Sequence, residues 1–157
     1  MIIPTESLSE VAGAWHSSGQ TLVFTNGVFD LLHTGHLELL EQSAAQGDVL
    51  LVAINGDASV KRLKGPDRPV YPALERAEIL LALKWVDAVT VFDEDTPLET
   101  ILKARPNVLV KGAEYGAGAI VGGPEVVAWG GRVWRYPMRD GYSTTRIVEK
   151  IRGEIKT

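Results

Sequence analysis

The chain contains no cysteine among its 157 residues. Disulfide bonds, thiolate metal sites and cysteine nucleophiles are therefore excluded. No apolar run approaches the length of a transmembrane helix, and the first residues do not combine a charged segment with a long apolar core. We therefore expect a cytoplasmic protein. The formal net charge of −4 argues against nucleic acid or an anionic membrane as a general partner.

The sequence also lacks the G-x-G-x-x-G pattern, which argues against a dinucleotide-dependent dehydrogenase. Its apolar residues nevertheless alternate between strand-like runs and stretches with helical spacing. The predicted strands are 21–24, 49–54, 86–92, 108–110 and 132–135, and the predicted helices are 8–17, 36–46, 74–83, 97–103, 125–129 and 144–155. We read the polar stretch 55–72 and the glycine-rich stretch 112–123 as loops. The pattern predicts an α/β fold, a Rossmann-like doubly wound sheet of about five parallel strands with helices on both faces. Residues 1–157 form a single domain in this interpretation, with 1–20 as an N-terminal helical extension.

The most informative segment runs from Thr25 to His36 and places two histidines, His33 and His36, around Thr34 and Gly35. It follows a predicted strand and opens a predicted helix. Free backbone N–H groups and the positive end of the helix dipole favour an anion there. A histidine near a helix start can also be a cap or a surface residue. Two histidines around a glycine at such a turn favour a phosphate site.

Polar residues follow the other predicted strands at the same edge of the sheet, where α/β proteins bind ligands. Asn55 and Asp57 come directly after the second strand and are sugar-site candidates on position alone. Ser143 precedes the last helix, where it could be an N-cap, a phosphate ligand or both.

Four pieces of the chain together resemble the nucleotidyltransferases marked by an H-x-G-H signature. They are N-G-V-F-D running into H-T-G-H (26–36), K-R-L-K-G with R-P-V (61–70), V-K-G-A-E-Y (110–115) and D-G-Y-S-T-T (140–145). Within that superfamily the chain is most similar to the D-glycero-β-D-manno-heptose 1-phosphate adenylyltransferases, which occur alone or fused to a sugar kinase. The resemblance covers about residues 21–151 and fits the stand-alone form. Val28 and Tyr142 stand where those enzymes commonly have cysteine.

The resemblance implies transfer of AMP from ATP to a heptose 1-phosphate, with release of pyrophosphate. It implies three catalytic residues, His33, His36 and Lys64, with Lys64 on a mobile phosphate clamp. The implied nucleotide-binding residues are Thr25, Asn26, Gly27, Val28, Phe29, Lys111, Gly112, Glu114, Ser143, Thr144 and Thr145. The implied substrate-binding residues are Asn55, Asp57, Arg68 and Arg76.

Several alternatives remain open at this point. Asp30 could hold the turn or could be a helix cap, Arg62 could belong to a solvated basic loop, and Arg76 could be an exposed helix residue paired with Glu75 or Glu78. Mg²⁺ would be held mainly by the triphosphate, with no protein ligand named. The resemblance also implies a homodimer. A cytidylyl- or guanylyltransferase acting on another small phosphate, such as glycerol 3-phosphate, and a non-catalytic nucleotide-binding protein are the alternative functions.

Overall fold

The computed structural model describes residues 1–112, 120–137 and 143–153. The strands in these residues are β1 (Leu22–Gly27), β2 (Val49–Asn55), β3 (Ala88–Phe92), β4 (Val108–Gly112) and β5 (Arg132–Tyr136). The helices are α1 (Leu8–Ser17), α2 (Thr34–Ala44), α3 (Asp57–Lys64), α4 (Ala73–Leu81), α5 (Leu98–Ala104), α6 (Gly123–Ala128) and α7 (Thr144–Arg152).

The strands form a parallel sheet in the order β3-β2-β1-β4-β5. The chain moves outward from β1 to β3 and then returns to place β4 on the other side of β1. This reversal of direction leaves a crevice beyond the ends of β1 and β4, which is where α/β sheets bind ligands. The predicted Rossmann-like sheet of five parallel strands is confirmed.

Apolar side chains cover both faces of the sheet, as expected for parallel strands buried between helices. On one face, Phe24 and Leu51 pack with residues of α1, α5 and α6. On the other, Val23 and Leu50 pack with residues of α2 and α4. Neighbouring positions of a strand therefore serve opposite cores, and helices lie on both faces as predicted.

The N-terminal residues are joined to this sheet. Ile2 forms a parallel bridge with Val89, and the Ile3 N–H donates to the Val89 carbonyl at 2.8 Å. Leu8 of α1 is fully buried in the core. Within the described ranges, no helix has the length and apolar character needed to cross a membrane.

The stretch after β2 corrects one prediction, because it contains a helix where a loop was expected. Helix α3 spans Asp57–Lys64 and ends at Gly65, whose φ of 98° few other residues adopt. Only two of its residues, Ser59 and Val60, are buried, and the helix is mostly polar. Its acidic first turn and basic last turn match the helix dipole.

Candidate active site

A cavity of about 530 Å³ opens at the carboxyl ends of the strands. It gathers residues from β1, β2 and β4, from the starts of α2 and α7 and from the end of α3. The predicted site residues that line it are Asn26, Gly27, Val28, Phe29, His33, His36, Asn55, Lys64, Arg68, Lys111, Gly112, Ser143, Thr144 and Thr145. Segments more than 100 residues apart in the chain thus converge on one concave surface.

The turn from β1 into α2 has an unusual backbone at Phe29. Its φ is 47°, in the left-handed region that side chains other than glycine rarely adopt. A Cβ on Gly27 would lie 3.0 Å from the Phe29 ring, so a larger residue there would require the ring to shift. The ring centroids of Phe29 and His36 are 5.1 Å apart. The turn therefore seats an aromatic ring directly beside a predicted catalytic histidine.

His33 and His36 lie at the start of α2, with His33 as the N-cap residue. Their rings are stacked, with centroids 3.8 Å apart. The backbone N–H of His33 donates to Nδ1 of His36 at 3.4 Å. Because Nδ1 accepts this bond, a neutral His36 carries its proton on Nε2 and can donate it to a ligand.

Burial, and to a smaller extent the neighbouring His33, together lower the pKa of His36 from 6.5 to about 3. His36 is therefore uncharged near neutral pH. A neutral imidazole with its proton on Nε2 is a hydrogen-bond donor without net charge. Phosphate oxygens accept such bonds, and the free N–H groups of the first turn of α2 point the same way.

Lys111 lies at the end of β4 and is only 8% exposed. Its Nζ donates a hydrogen bond to Oδ1 of Asn26 on the adjacent strand β1. Desolvation lowers the Lys111 pKa from 10.5 to about 8, so most of these lysines still carry a charge at pH 7. The wall between β1 and β4 thus presents a positive charge to the cavity.

Asp30 holds the segment after α3 against the β1–α2 turn, as its reading as a turn residue anticipated. Its buried carboxylate accepts hydrogen bonds from the Val70 and Tyr71 N–H groups and from Arg68 Nε at 2.7 Å. Arg68 is thereby fixed at the cavity wall. Lys64, the last residue of α3, is exposed and lines the same cavity.

The start of α7 closes another side of the cavity. Ser143 is its N-cap, and its Oγ accepts a hydrogen bond from the Arg146 N–H at 3.1 Å. Thr144 Oγ1 donates to the Leu31 carbonyl at 3.0 Å, which ties α7 to the β1–α2 turn. The N-termini of α2 and α7 therefore both border the cavity, and each favours an anion.

Two predicted substrate-binding residues, Asp57 as a sugar-site candidate and Arg76 as a sugar-phosphate candidate, are paired with each other instead, and both assignments need correction. The Arg76 side chain is fully buried, and its guanidinium donates to Asp57 Oδ1 at 2.8 Å and to the carbonyls of Val28 and Tyr71. Asp57 Oδ1 also accepts from the Ala73 N–H. Neither residue lines the cavity. The alternative of an exposed Arg76 is wrong as well.

Thr25 and Arg62 also differ from the expected arrangement, whereas the Glu114 assignment stays a prediction. Thr25 is buried, with its Oγ1 directed to the Val110 carbonyl at 3.3 Å, and does not line the cavity. Glu114 lies outside the described residues. Arg62 belongs to α3 and pairs with Asp95 at 2.9 Å, so it is not part of a solvated loop.

The sequence reading missed the segment that follows β3. Asp95, Thr96 and Pro97 line the cavity, together with Leu63 of α3. The signal was available, because this polar segment follows a strand at the same edge of the sheet as Asn55. The same rule that singled out the ends of the other strands would have found it.

Fold and cavity together define a Rossmann-like α/β protein with a ligand site at the switch point of its sheet. Residues 24–150 match the family model described as Cytidylyltransferase-like. The chain therefore belongs to the cytidylyltransferase-like family and is a nucleotidyltransferase. This membership confirms the family resemblance carried by the H-x-G-H motif and its partner motifs.

Curated relatives share about half of their aligned residues with the chain. It is 49% identical over 149 residues to the Bifunctional protein HldE of Koribacter versatilis, covering 95% of this chain and 31% of the relative. It is 51% identical over 146 residues to the protein of the same name from Syntrophotalea carbinolica, covering 93% and 30%. The chain thus spans about a third of the length of these relatives.

Two solved structures share the fold. One is a lipopolysaccharide core biosynthesis protein from Thermoplasma volcanium, with a TM-score of 0.66, 27% identity and coverage of 78% of this chain and 100% of that one. The other is a pantoate-beta-alanine ligase from Francisella tularensis, complexed with an ATP ligand and beta-alanine. Its TM-score is 0.57 at 14% identity, covering 99% of this chain and 78% of that one, so it speaks for the fold alone.

Proposed function

We propose that the chain transfers the adenylyl group of ATP to D-glycero-β-D-manno-heptose 1-phosphate, giving ADP-heptose and pyrophosphate. The observation that carries this proposal is the convergence of His33, His36, Lys64, Lys111 and the start of α7 on one cavity. The K-R-L-K-G motif and the S-T-T end of the D-G-Y-S-T-T motif border this cavity, and these two longer motifs suggested a heptose 1-phosphate acceptor. The bifunctional relatives are compatible with a family that occurs alone or fused to a sugar kinase.

The proposed reaction forms one bond and breaks one bond at the α-phosphorus of ATP. An oxygen of the sugar phosphate attacks this phosphorus, and the bond to the bridging oxygen of the β-phosphate breaks. Pyrophosphate leaves with the electron pair. Because the attacking oxygen is already anionic, no general base is required. The protein's task is to bring two polyanions together and to stabilise the charge of the transition state.

His36 suits this task because its pKa of about 3 keeps it neutral. It would donate its Nε2 proton to an oxygen of the triphosphate and keep the same protonation state throughout the reaction. His33, stacked on it at 3.8 Å, would contact the phosphates beside it. Removing one preorganised donor of this kind lowers kcat by about two to three orders of magnitude.

Charged and helix-terminal groups would hold the remaining phosphate oxygens. Lys111 offers a buried ammonium group from one wall, and Lys64 an exposed one from the end of α3. Lys64 is next to Gly65, where the helix ends, and we propose that it closes over the triphosphate. Ser143 and Thr145, at the start of α7, would add hydroxyl and N–H donors.

Mg²⁺ would be held mainly by the phosphate oxygens of the nucleotide. Among the described residues there is no group of three histidine or carboxylate side chains placed to hold an ion, and the donors in the cavity suit phosphate better than metal. The ion would neutralise triphosphate charge when bound. The homodimer stays a prediction.

A second candidate is a cytidylyl- or guanylyltransferase acting on another small phosphate such as glycerol 3-phosphate. The description of the family as cytidylyltransferase-like favours keeping it. The catalytic inventory is the same for either nucleotide, since His36 and Lys64 would contact phosphates and not the base. A protein that only binds a nucleotide would have no use for so complete a set of phosphate donors.

A panel of nucleoside triphosphates and acceptors tests these candidates through pyrophosphate release. We expect release with ATP and heptose 1-phosphate, and a His36→Ala variant should fold but lose about two to three orders of magnitude in kcat. His16→Ala is the matched control, since His16 contacts the Ala104 carbonyl, away from the cavity. Turnover only with CTP and glycerol 3-phosphate would support the second candidate instead. Binding without release would support a nucleotide-binding protein.

A further inference from the structure

The polar groups of the cavity are unevenly distributed along the sheet. The end formed by β1, β4 and α7 carries His33, His36 and Lys111. The opposite end, beyond β2 and β3, carries Asn55, Asp95 and Thr96. The first end offers hydrogen-bond donors and positive charge, whereas the second offers amide, carboxylate and hydroxyl oxygens. The amide and carboxylate oxygens accept hydrogen bonds from a ligand and disfavour phosphate, whereas the Thr96 hydroxyl can donate or accept.

The segment after β3 is packed tightly onto the end of β2. The Gly56 N–H donates to the Phe92 carbonyl at 2.7 Å. A Cβ on Gly56 would lie 2.0 Å from Oδ1 of Asp93, so only glycine permits this contact. Residues 93–97 are therefore held beside Asn55. The oxygen-rich end of the cavity is fixed in place by this packing.

The side-chain amide of Asn55 has a defined orientation. Asn55 is 5% exposed, and its Nδ2 donates to Ser59 Oγ at 3.0 Å. Ser59 Oγ in turn donates to the Glu94 carbonyl at 3.2 Å, so this hydroxyl must accept from the amide nitrogen. The Asn55 Oδ1 atom is then left as an acceptor, and it has no side-chain partner within residues 1–112, 120–137 and 143–153. The largely buried Asn55 side chain thus contributes an acceptor oxygen at the cavity wall.

Arg62 orients the carboxylate of Asp95. Its Nε donates to Asp95 Oδ1 at 2.9 Å, and its Nη2 donates to the Asp93 carbonyl. One carboxylate oxygen of Asp95 is engaged by this pair, and the other has no hydrogen bond in the described part of the chain. The second carboxylate oxygen of Asp95 can therefore accept a hydrogen bond from a donor in the cavity.

We infer that Asn55, Asp95 and Thr96 form a subsite for a hydroxyl-rich acceptor and read the hydroxyl groups of its carbon chain or ring. This inference rests on the proposed function. It explains how the site distinguishes a sugar phosphate acceptor from other phosphate compounds. Neutral hydroxyls donate well to a carboxylate and to an amide oxygen. The phosphate of the same acceptor lies toward Lys64 and Arg68, between this subsite and the triphosphate.

The subsite favours sugar phosphates over simpler phosphates. A carboxylate and an amide oxygen placed to accept hydrogen bonds favour a ligand that carries hydroxyl donors over one that lacks them. Because the Asp95 side chain is 73% exposed, a ligand without hydroxyls leaves this carboxylate hydrated and only forgoes its hydrogen bond. Inorganic phosphate and phosphates with few hydroxyls should therefore bind more weakly than a sugar 1-phosphate. Nucleotide binding should not depend on these three residues.

The test compares Asp95→Asn with Glu99→Gln in pyrophosphate release. Both substitutions remove one acidic charge, but Glu99 is exposed on α5 and does not line the cavity. We expect D95N to raise the KM for heptose 1-phosphate about threefold to tenfold, because the substitution removes the charge of a largely exposed acceptor and keeps one oxygen. Its KM for ATP should stay within about twofold of wild type, and E99Q should change neither. An unchanged acceptor KM in D95N, or an equal rise in both KM values, overturns the inference.

A binding measurement separates this inference from the proposed function. D-mannose 1-phosphate and inorganic phosphate are titrated calorimetrically into wild type, D95N and E99Q without ATP. If wild type releases no pyrophosphate with any acceptor but binds the sugar phosphate more tightly than phosphate, and D95N loses that preference, the function fails and the subsite stands. If wild type shows no preference, or D95N keeps it, the subsite is refuted whatever the turnover.

Discussion

Replacing Lys111 by methionine should make the protein more stable and less active. The fold lowers the Lys111 pKa from 10.5 to about 8 by desolvation, so burial of the charged amine costs about 3 kcal/mol at pH 7. Methionine keeps the unbranched shape without the charge. Loss of the hydrogen bond to Asn26 lowers the free energy of unfolding by about 1 kcal/mol and so offsets part of this gain. We therefore expect a net gain of about 2 kcal/mol in the free energy of unfolding, measured by urea denaturation.

The stability difference between wild type and Lys111→Met should depend on pH in a defined direction. Below about pH 8 the lysine is charged in both the folded and the unfolded state, and the full cost is present. Between about pH 8 and 10.5 only the unfolded state binds the proton, so wild-type stability rises with pH. The advantage of Lys111→Met should therefore shrink over that range. Lys103→Met is the control, because Lys103 is exposed on α5 and its replacement should not stabilise.

The same substitution should weaken the handling of ATP. Loss of a charged hydrogen bond to the triphosphate should lower kcat/KM about tenfold to a hundredfold. The wild-type KM for ATP should likewise rise above about pH 8, as Lys111 loses its proton. If Lys111→Met is less stable than wild type at pH 7, or if its stability difference does not vary between pH 8 and 10.5, the reasoning about the buried charge is refuted.

Three further predictions concern other buried polar groups. Arg76→Met should lower the free energy of unfolding by about 2–4 kcal/mol in thermal or urea denaturation, since it leaves the Val28 and Tyr71 carbonyls without their donor; a loss below about 0.5 kcal/mol would contradict this. Thr90→Val should raise stability by about 1 kcal/mol in the same assay, because the buried Thr90 hydroxyl has no partner among the described residues; destabilisation would argue against it. His36 keeps its neutral form down to about pH 3, so protonation of this residue should not lower kcat between pH 5 and 7.5. If kcat does fall toward pH 5 and a His36→Gln variant removes that fall, the neutral state assigned to His36 is contradicted.

The sheet was predictable because its strands are short apolar runs between turn residues. Such a run is sufficient to recognise a parallel strand that is buried on both faces. The run from Val49 to Ile54 is an example, since every residue of β2 is buried. The helix at 57–64 was not predictable in the same way. It buries only Ser59 and Val60, and its polar sequence has too few apolar residues to show the repeated apolar positions of a packed helix.

The convergence of the cavity residues was predictable from one rule, that strand ends meet at one edge of a parallel sheet. The role of Arg76 was not predictable, because an arginine in an amphipathic helix resembles a phosphate ligand or a surface residue equally well. Its partners Val28 and Asp57 are 48 and 19 residues away. Only the three-dimensional packing shows that the guanidinium is fully enclosed.

The most direct measurement is product analysis of one reaction. Wild-type protein is incubated with Mg²⁺, an equimolar mixture of ATP and CTP, and D-glycero-β-D-manno-heptose 1-phosphate with glycerol 3-phosphate as a competing acceptor. The products are identified by mass spectrometry, and pyrophosphate is measured in parallel. We predict ADP-heptose in an amount equal to the pyrophosphate released, and none with His36→Ala on the same timescale. A cytidylylated glycerol as the main product, or equal turnover by His36→Ala, would contradict the proposed enzyme.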